Sequence, residues 1–376
     1  MLPLFTPFQI KNLKIRNRIV MPPMALDIAT EDGAVSHKII EHYRARTRDV
    51  GMIIVEHSYI NPIGKAHPCQ LGIYDDSLIP GLEILAAEIK KYGVTVGIQI
   101  SHAGARALDT PSGPSSVQSK YLKRFGGKEK TSYRVLPKKL EHEDLKEIAI
   151  DFARAARRAQ KAGFDFVEIH GAHGYLLNQF YSPLTNFRHD EYGGSLERRL
   201  TFPLEVVKRV RRAVGKDYPV FYRLGADDRL PDGNTLQDSI TAAQALEAVG
   251  VDCIDLSGGI SGYIKKGEEG FFTYMAETIR PYVNIPLIVT GGIKTGAKAN
   301  EIIESGKADL VGVGRALLQD KDWAYKERLK LEGKSEEKLD EELEEKLDES
   351  KSCPKETCES DSLYMDDLVE ELEISH

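Results

Sequence analysis

The 376-residue sequence predicts an α/β fold, a (β/α)8 barrel of the TIM type with an N-terminal hairpin cap and an acidic C-terminal extension. Three observations carry that expectation. Eight short, β-rich apolar runs alternate with amphipathic stretches of helical length. Residues capable of chemistry follow nearly every run. No Gly-x-Gly-x-x-Gly follows the first run, as it would in an open nucleotide-binding sheet.

In chain order, residues 8–15 alternate around the turn-prone Lys11-Asn12 pair, which predicts a hairpin closing the bottom of the barrel. Barrel strands are expected at 18–21, 52–55, 94–100, 164–169, 219–224, 251–256, 286–290 and 309–313. Helices are expected at 36–48, 79–92, 142–162, 196–214, 235–249, 271–282 and 298–305. Several end on a glycine, as at Gly93, Gly163, Gly250 and Gly306, with the next strand a few residues on, a connection that suits parallel strands. Residues 105–139, rich in Pro, Ser, Gly and Lys, are too long for a simple connection and are expected to lie over the catalytic face as a lid. The barrel domain is expected over 1–331. Residues 332–376, with leucines at 339, 343 and 347, are expected to be a disordered or loosely helical acidic tail.

The net charge of -7 is unevenly spread: residues 332–376 hold 18 acidic against 5 basic side chains, whereas residues 1–331 hold 46 basic against 40 acidic. A mildly basic body suits anionic small molecules such as phosphorylated cofactors. With no basic stripe and no nucleic-acid motif, no nucleic-acid partner is expected. No apolar run approaches the ~18 residues of a membrane helix, and the N-terminus lacks the pattern of a secretory leader, so no membrane partner is expected. Four cysteines are sparse for this length and imply no disulfide framework; a reducing, cytoplasmic location follows.

The densest constellation is Glu168-Ile169-His170-Gly171-Ala172-His173-Gly174-Tyr175, where the fourth barrel strand ends. An oxygen that gains negative charge during a reaction needs positioned donors, and two imidazole N–H groups supply them, each typically worth ~3 kcal/mol. A neutral tyrosine, with a reference pKa of ~10, can then give a proton to carbon. The competing readings are a buried, satisfied histidine beside an exposed one, or a metal pair. The glycines interrupt a regular helical metal motif and no cysteine or carboxylate completes an obvious ligand triad, so no metal site is expected.

A second signal is Thr290-Gly291-Gly292-Ile293 at the seventh strand with Val313-Gly314-Arg315 at the eighth. Glycines let backbone N–H groups approach a phosphate, the loops after the last two strands hold one in many barrels, and Arg315 adds a charge-assisted contact. His57, Gln99 and Arg223 stand at other strand ends. A glutamine can pair with the carbonyl and N–H edge of a flavin ring, and a cation near that edge stabilises its reduced anion; singly, each also suits a core network.

These residues closely resemble the Old Yellow Enzyme family of NAD(P)H:flavin oxidoreductases, over nearly the whole barrel. The marks are Asn17-Arg18-Ile19-Val20-Met21-Pro22-Pro23-Met24, Gln99-Ile100-Ser101-His102-Ala103-Gly104-Ala105-Arg106, the His170 to Tyr175 cluster, Ser182-Pro183-Leu184-Thr185-Asn186-Phe187-Arg188, Asp190-Glu191-Tyr192-Gly193-Gly194-Ser195, and Gly314-Arg315. The resemblance implies FMN as cofactor and NAD(P)H as hydride donor. By it Pro23, Met24 and Ala25 line the flavin, Gln99 and Arg223 bond its pyrimidine edge, and Gly291, Gly292, Gly314 and Arg315 hold its phosphate. His170 and His173 then bind the electron-withdrawing group of a small unsaturated substrate, and Tyr175 is the proton donor. The chain departs from its bacterial relatives at Ala25, where a flavin-tuning cysteine is common, and at Asp27, near a substrate-side tyrosine. His57, on the cofactor side, occupies a position that is often small.

The Met21-Pro22-Pro23-Met24 segment also looks like the dienoyl-CoA reductase and trimethylamine dehydrogenase branch, whose longer members carry a four-cysteine iron–sulfur site and further domains. Only Cys353 and Cys358 follow the barrel here, so no cluster is expected and the pair reads as free thiols. The expected activity is an ene-reductase working by ping-pong hydride transfer, self-associating as a homo-oligomer as barrel relatives commonly do. Two other readings stay open: a metal-dependent barrel lyase or hydrolase using His170 and His173, and a flavin-binding electron-transfer or scaffold subunit.

Overall fold

The computed structural model describes residues 2–117, 136–262 and 267–334. A hairpin of β1 (Phe8–Ile10) and β2 (Leu13–Ile15) turns through Lys11, which takes φ +49°. It is followed by β3 (Ile19–Met21), α1 (His37–Arg44), β4 (Met52–Tyr59), α2 (Ile79–Lys90) and β5 (Thr95–Ser101). Next come the short strands β6 (Ser112–Gly113) and β7 (Lys138–Lys139), then α3 (His142–Lys161), β8 (Phe166–Gly171), α4 (Leu176–Tyr181) and α5 (Leu196–Val214). The order continues with β9 (Val220–Asp227), α6 (Leu236–Ala248), β10 (Cys253–Gly258), α7 (Thr273–Ile279), β11 (Leu287–Val289), α8 (Gly296–Glu304), β12 (Leu310–Gly312), α9 (Arg315–Gln319) and α10 (Trp323–Leu331).

Eight strands close into a parallel barrel in the order β3, β4, β5, β8, β9, β10, β11, β12, with β12 returning to pair with β3. Each overlaps one of the eight apolar runs, as expected for a (β/α)8 barrel. The chain divides into one compact unit, Met1–Arg328, and a second, Leu329–His376, described only over 329–334. The expected tail helix, Cys353 and Cys358 lie outside the described residues, as does the middle of the expected lid.

Period-two alternation fills the lower barrel with side chains. Val20, Met52, Ile54, Phe166, Phe221, Cys253, Ile288 and Leu310 form one buried cluster with Ile10, Leu13 and Ile15 of the hairpin, so the hairpin plugs the barrel from below. The Phe166 and Phe221 rings stack at 4.2 Å. Gly97 on β5 makes room for them, since a Cβ there would lie 2.3 Å from Phe166. Helices start at capping side chains: Ser36, Ser195 and Thr295 each accept from a first-turn amide, and Thr235 with Asp238 forms a reciprocal box. Gly163 and Gly250 end α3 and α6 at φ +79° and +97°, where a side chain would be strained.

The expected helix at 271–282 is shorter: α7 stops at Ile279 and gives way to a 3-10 turn, Arg280–Tyr282. Pro281 has no N–H to continue the α ladder. The short α4 and α9, and the β6–β7 pairing, were not expected.

Candidate active site

The alternation that points Phe166, Phe221 and Cys253 into the lower barrel carries a second inward row two residues on: Gln99 on β5, Glu168 on β8, Arg223 on β9 and Asp255 on β10. Strand register sets Gln99 beside Glu168, His170 beside Arg223, and Arg223 beside Asp255. Glu168 and Asp255 are wholly buried. Gln99 Nε2 donates to Glu168 Oε1 at 2.7 Å, leaving the amide oxygen without a protein partner among the described residues. Arg223 Nε lies 3.3 Å from Asp255 Oδ2, and a terminal guanidinium nitrogen donates to the Pro23 carbonyl at 3.3 Å.

Glu168 Oε2, both Asp255 carboxylate oxygens, Arg223 Nε and His170 Nδ1 are buried without a hydrogen bond among the described residues. Such atoms cost of order 1–3 kcal/mol each, so their concentration in one place marks a site built to receive polar groups. Burial, and then the Asp255 charge, pushes the Glu168 carboxyl up; burial raises Asp255 too, against the opposing pull of Arg223. One guanidinium thus faces two carboxyls whose proton affinity burial has raised.

Above this row the predicted imidazole–phenol cluster assembles. The His170 ring lies 5.2 Å from that of His173 and 4.9 Å from that of Tyr175, both edge to face. His173 takes φ +57°, which costs a non-glycine residue roughly 1–2 kcal/mol. Its surroundings hold it there: its N–H donates to the Gly258 carbonyl at 3.2 Å, its carbonyl accepts from the Arg106 guanidinium, and Nε2 meets Ser257 Oγ at 2.7 Å. Burial, then the charges of neighbouring groups led by His173 for His170 and by Arg223 for His173, keeps both imidazoles well below their usual range. Both are neutral N–H carriers at pH 7. Burial raises the Tyr175 phenol, only partly offset by Arg106, whose guanidinium carbon lies 5.3 Å from the ring centre, so Tyr175 keeps its proton.

His57 joins the same cluster, 5.3 Å from the Tyr175 ring and 6.2 Å from that of His170. β4 shifts register against β5 between Val55 and Ser58, an irregularity of the kind that re-aims a side chain.

The glycine loops after β11 and β12 converge. A Cβ on Gly292 would fall 3.0 Å from an Arg315 guanidinium nitrogen, and one on Gly291 would fall 2.7 Å from the Phe272 amide nitrogen. One on Gly314 would meet Met24 Sδ at 3.1 Å, which brings the segment after β3 against the loop after β12. Pro23 is buried, Met24 half-buried and Ala25 exposed. Asp27, at φ +55°, accepts from the Cys69 amide at 2.8 Å. Unpartnered groups on the inner row and a bare-backbone cradle beside Arg315 fit a ligand with a polar ring edge and a phosphate, as FMN has.

Three participants received no role from sequence reasoning, although Glu168 opens the imidazole–phenol cluster and Arg106 closes the Gln99–Arg106 mark. Asp255 and Glu168 had a signal, a carboxylate inside an apolar run. Arg106 had none of its own, because its contact with His173 spans 67 residues. Among the described residues, the group with metal-ligand spacing is His142, Asp190 and Glu191 on the surface, away from His170 and His173. No helix of the described residues is long and apolar enough to cross a membrane.

Residues 3–333 match the model of the NADH:flavin oxidoreductase / NADH oxidase family. An NADH oxidase of Thermoanaerobacter brockii is 42% identical over 86% of this chain, which spans 50% of that relative's length. An NADPH dehydrogenase of Geobacillus is 41% identical over 86% of this chain and 92% of its own. An old yellow enzyme homologue from Zymomonas mobilis superposes with a TM-score of 0.76 at 27% identity, covering 88% of this chain and 92% of that one. The unpartnered inner row, the glycine cradle and these likenesses agree: the chain belongs to the NADH:flavin oxidoreductase / NADH oxidase family and is an NAD(P)H-dependent, FMN-using oxidoreductase of the Old Yellow Enzyme type.

Proposed function

We propose that this protein reduces the C=C bond of α,β-unsaturated carbonyl or related electron-poor acceptors, in a ping-pong cycle that NAD(P)H opens. The observation that carries the reading is the convergence of two neutral imidazoles and a neutral phenol above a buried polar row. FMN, when bound, would supply two-electron hydride chemistry between the nicotinamide and the β-carbon of the acceptor. His170 and His173 donate to the acceptor oxygen as it gains charge, and Tyr175 gives its proton to the α-carbon. The Gln99 amide oxygen would accept from the pyrimidine N–H, and Arg223 would stabilise the anionic edge. Gly291, Gly292, Gly314 and Arg315 hold the phosphate, with Pro23, Met24 and Ala25 lining the ring. A cytoplasmic location and self-association belong to the same proposal.

The test is the visible spectrum of the purified protein under anaerobic conditions. A flavin band that bleaches with NADPH or NADH and returns on adding 2-cyclohexenone is expected. A colourless protein that takes up no added FMN, or a reduced flavin that no enone reoxidises, overturns the reading.

A further inference from the structure

His57 has no part in the steps above, yet its surroundings determine both its charge and its tautomer. The Ala66 backbone N–H donates to Gln70 Oε1 at 2.6 Å, which identifies that end of the amide as the oxygen and the other as the NH2. The NH2 donates to the His57 carbonyl at 2.9 Å and reaches the His57 ring at Nδ1, 2.8 Å away. An NH2 group only donates here, so Nδ1 presents its lone pair. The single ring proton therefore sits on Nε2, which has no protein partner among the described residues. A second proton would set N–H against NH2, and burial with His67, Arg106 and Arg223 nearby agrees, depressing the imidazole to about 3.

We propose that His57, locked as a neutral Nε2–H donor by Gln70, is a third hydrogen-bond donor of the substrate pocket and favours acceptors that carry a second oxygen, such as ene-diones and quinones. This rests on the reading that His170, His173 and Tyr175 handle the acceptor. Among the described residues His57 approaches the rings of Tyr175, His67 and His170, at 5.3, 5.8 and 6.2 Å, and with those of Tyr175 and His170 it forms a triangle. With one acceptor oxygen at His170 and His173 and the reacting carbon at Tyr175, the remaining corner belongs to His57. Gln70 is a positioning residue: it acts on the acceptor only through the tautomer it imposes.

The experiment uses the FMN-loaded enzyme and two acceptors, 2-cyclohexenone and 2-cyclohexene-1,4-dione, with their saturated analogues for equilibrium binding by calorimetry. In His57→Ala the dione-over-enone ratio of kcat/KM, and the corresponding ratio of binding constants, is expected to fall about tenfold, the loss of one neutral hydrogen bond. His57→Gln, which keeps an N–H donor, recovers part of the ratio. Nitrogen-15 NMR of the histidine side chains is expected to show the Nε2–H tautomer for His57 at pH 7, moving to Nδ1–H in Gln70→Glu, whose carboxylate accepts from Nδ1. Unchanged ratios in a wild type active on both acceptors, or an Nδ1–H signal in the wild type, overturn the His57 proposal alone. A His57→Ala loss equal for both acceptors and tracking lost FMN overturns it too and returns His57 to the cofactor. A wild type that binds FMN but reduces neither acceptor overturns the ene-reductase reading and this proposal together.

Discussion

At the bottom of the barrel, Phe166, Phe221 and Cys253 close against Ile10, Leu13 and Ile15 with no polar side chain among them. Two residues further along the same three strands stand Glu168, Arg223 and Asp255, equally buried but carrying oxygens and a guanidinium nitrogen that lack hydrogen bonds. One layer stabilises the fold; the next destabilises it. The contrast shows that a strand can serve both ends because alternation repeats every two residues, so a change of residue type along one face turns core into site without altering the backbone. The lower layer is apolar throughout, and the upper one carries unpaired polar atoms that a ligand can meet.

The sharpest way to break the contrast is Tyr175→Phe. Acceptor reduction is expected to slow roughly 10²- to 10⁴-fold, the usual worth of a positioned general acid, while flavin bleaching by NADPH stays near the wild-type rate. The unfolding free energy should change little, because the phenol oxygen has no protein partner among the described residues. Stopped-flow of the two half-reactions checks this, and equal slowing of both would remove Tyr175 from its role. The converse change, Phe166→Ala in the lower layer, should cost ~3–5 kcal/mol in urea unfolding, with flavin content per folded molecule retained. Loss of flavin at unchanged stability would show that the layers are not separable.

The smallest expected effect is a pH slope. His57 is held neutral down to about 3, well below the ~6.5 of an unfolded histidine, so as pH falls below ~6.5 the unfolded chain takes up a proton that the folded one refuses. Stability from this group is present above ~6.5 and is lost toward acid. Subtracting the His57→Ala curve isolates this group, apart from the smaller effect of its charge on His170 and His173. Between pH 7 and 5 the wild type should lose about 2 kcal/mol more than the variant. Parallel pH curves for the two proteins would mean that His57 titrates freely in the fold.

The barrel strands were legible because each is a short apolar run bounded by polar or glycine residues, a signal that needs no knowledge of neighbours. The hairpin plug was legible for the same reason. α4 was not: all six of its residues, Leu176 to Tyr181, are buried, so no amphipathic period marks it. In the site, His170, His173 and Tyr175 stand within six positions and their association could be read directly. The Gln99–Glu168 hydrogen bond joins residues 69 apart and the Arg106–His173 clamp residues 67 apart, and such pairs are set by barrel closure.

By itself, then, the sequence determined the alternation of strands and helices, the plug, the imidazole–phenol cluster and the glycine loops, because each is encoded by residues near one another in the chain. Only the tertiary structure decided that Glu168 and Asp255 share a sealed row with one guanidinium, that His57 approaches the rings of Tyr175 and His170, and that Gln70 selects its tautomer. The physical reason is that burial and hydrogen-bond satisfaction depend on the full shell around an atom, and a closed barrel draws that shell from strands far apart in the chain.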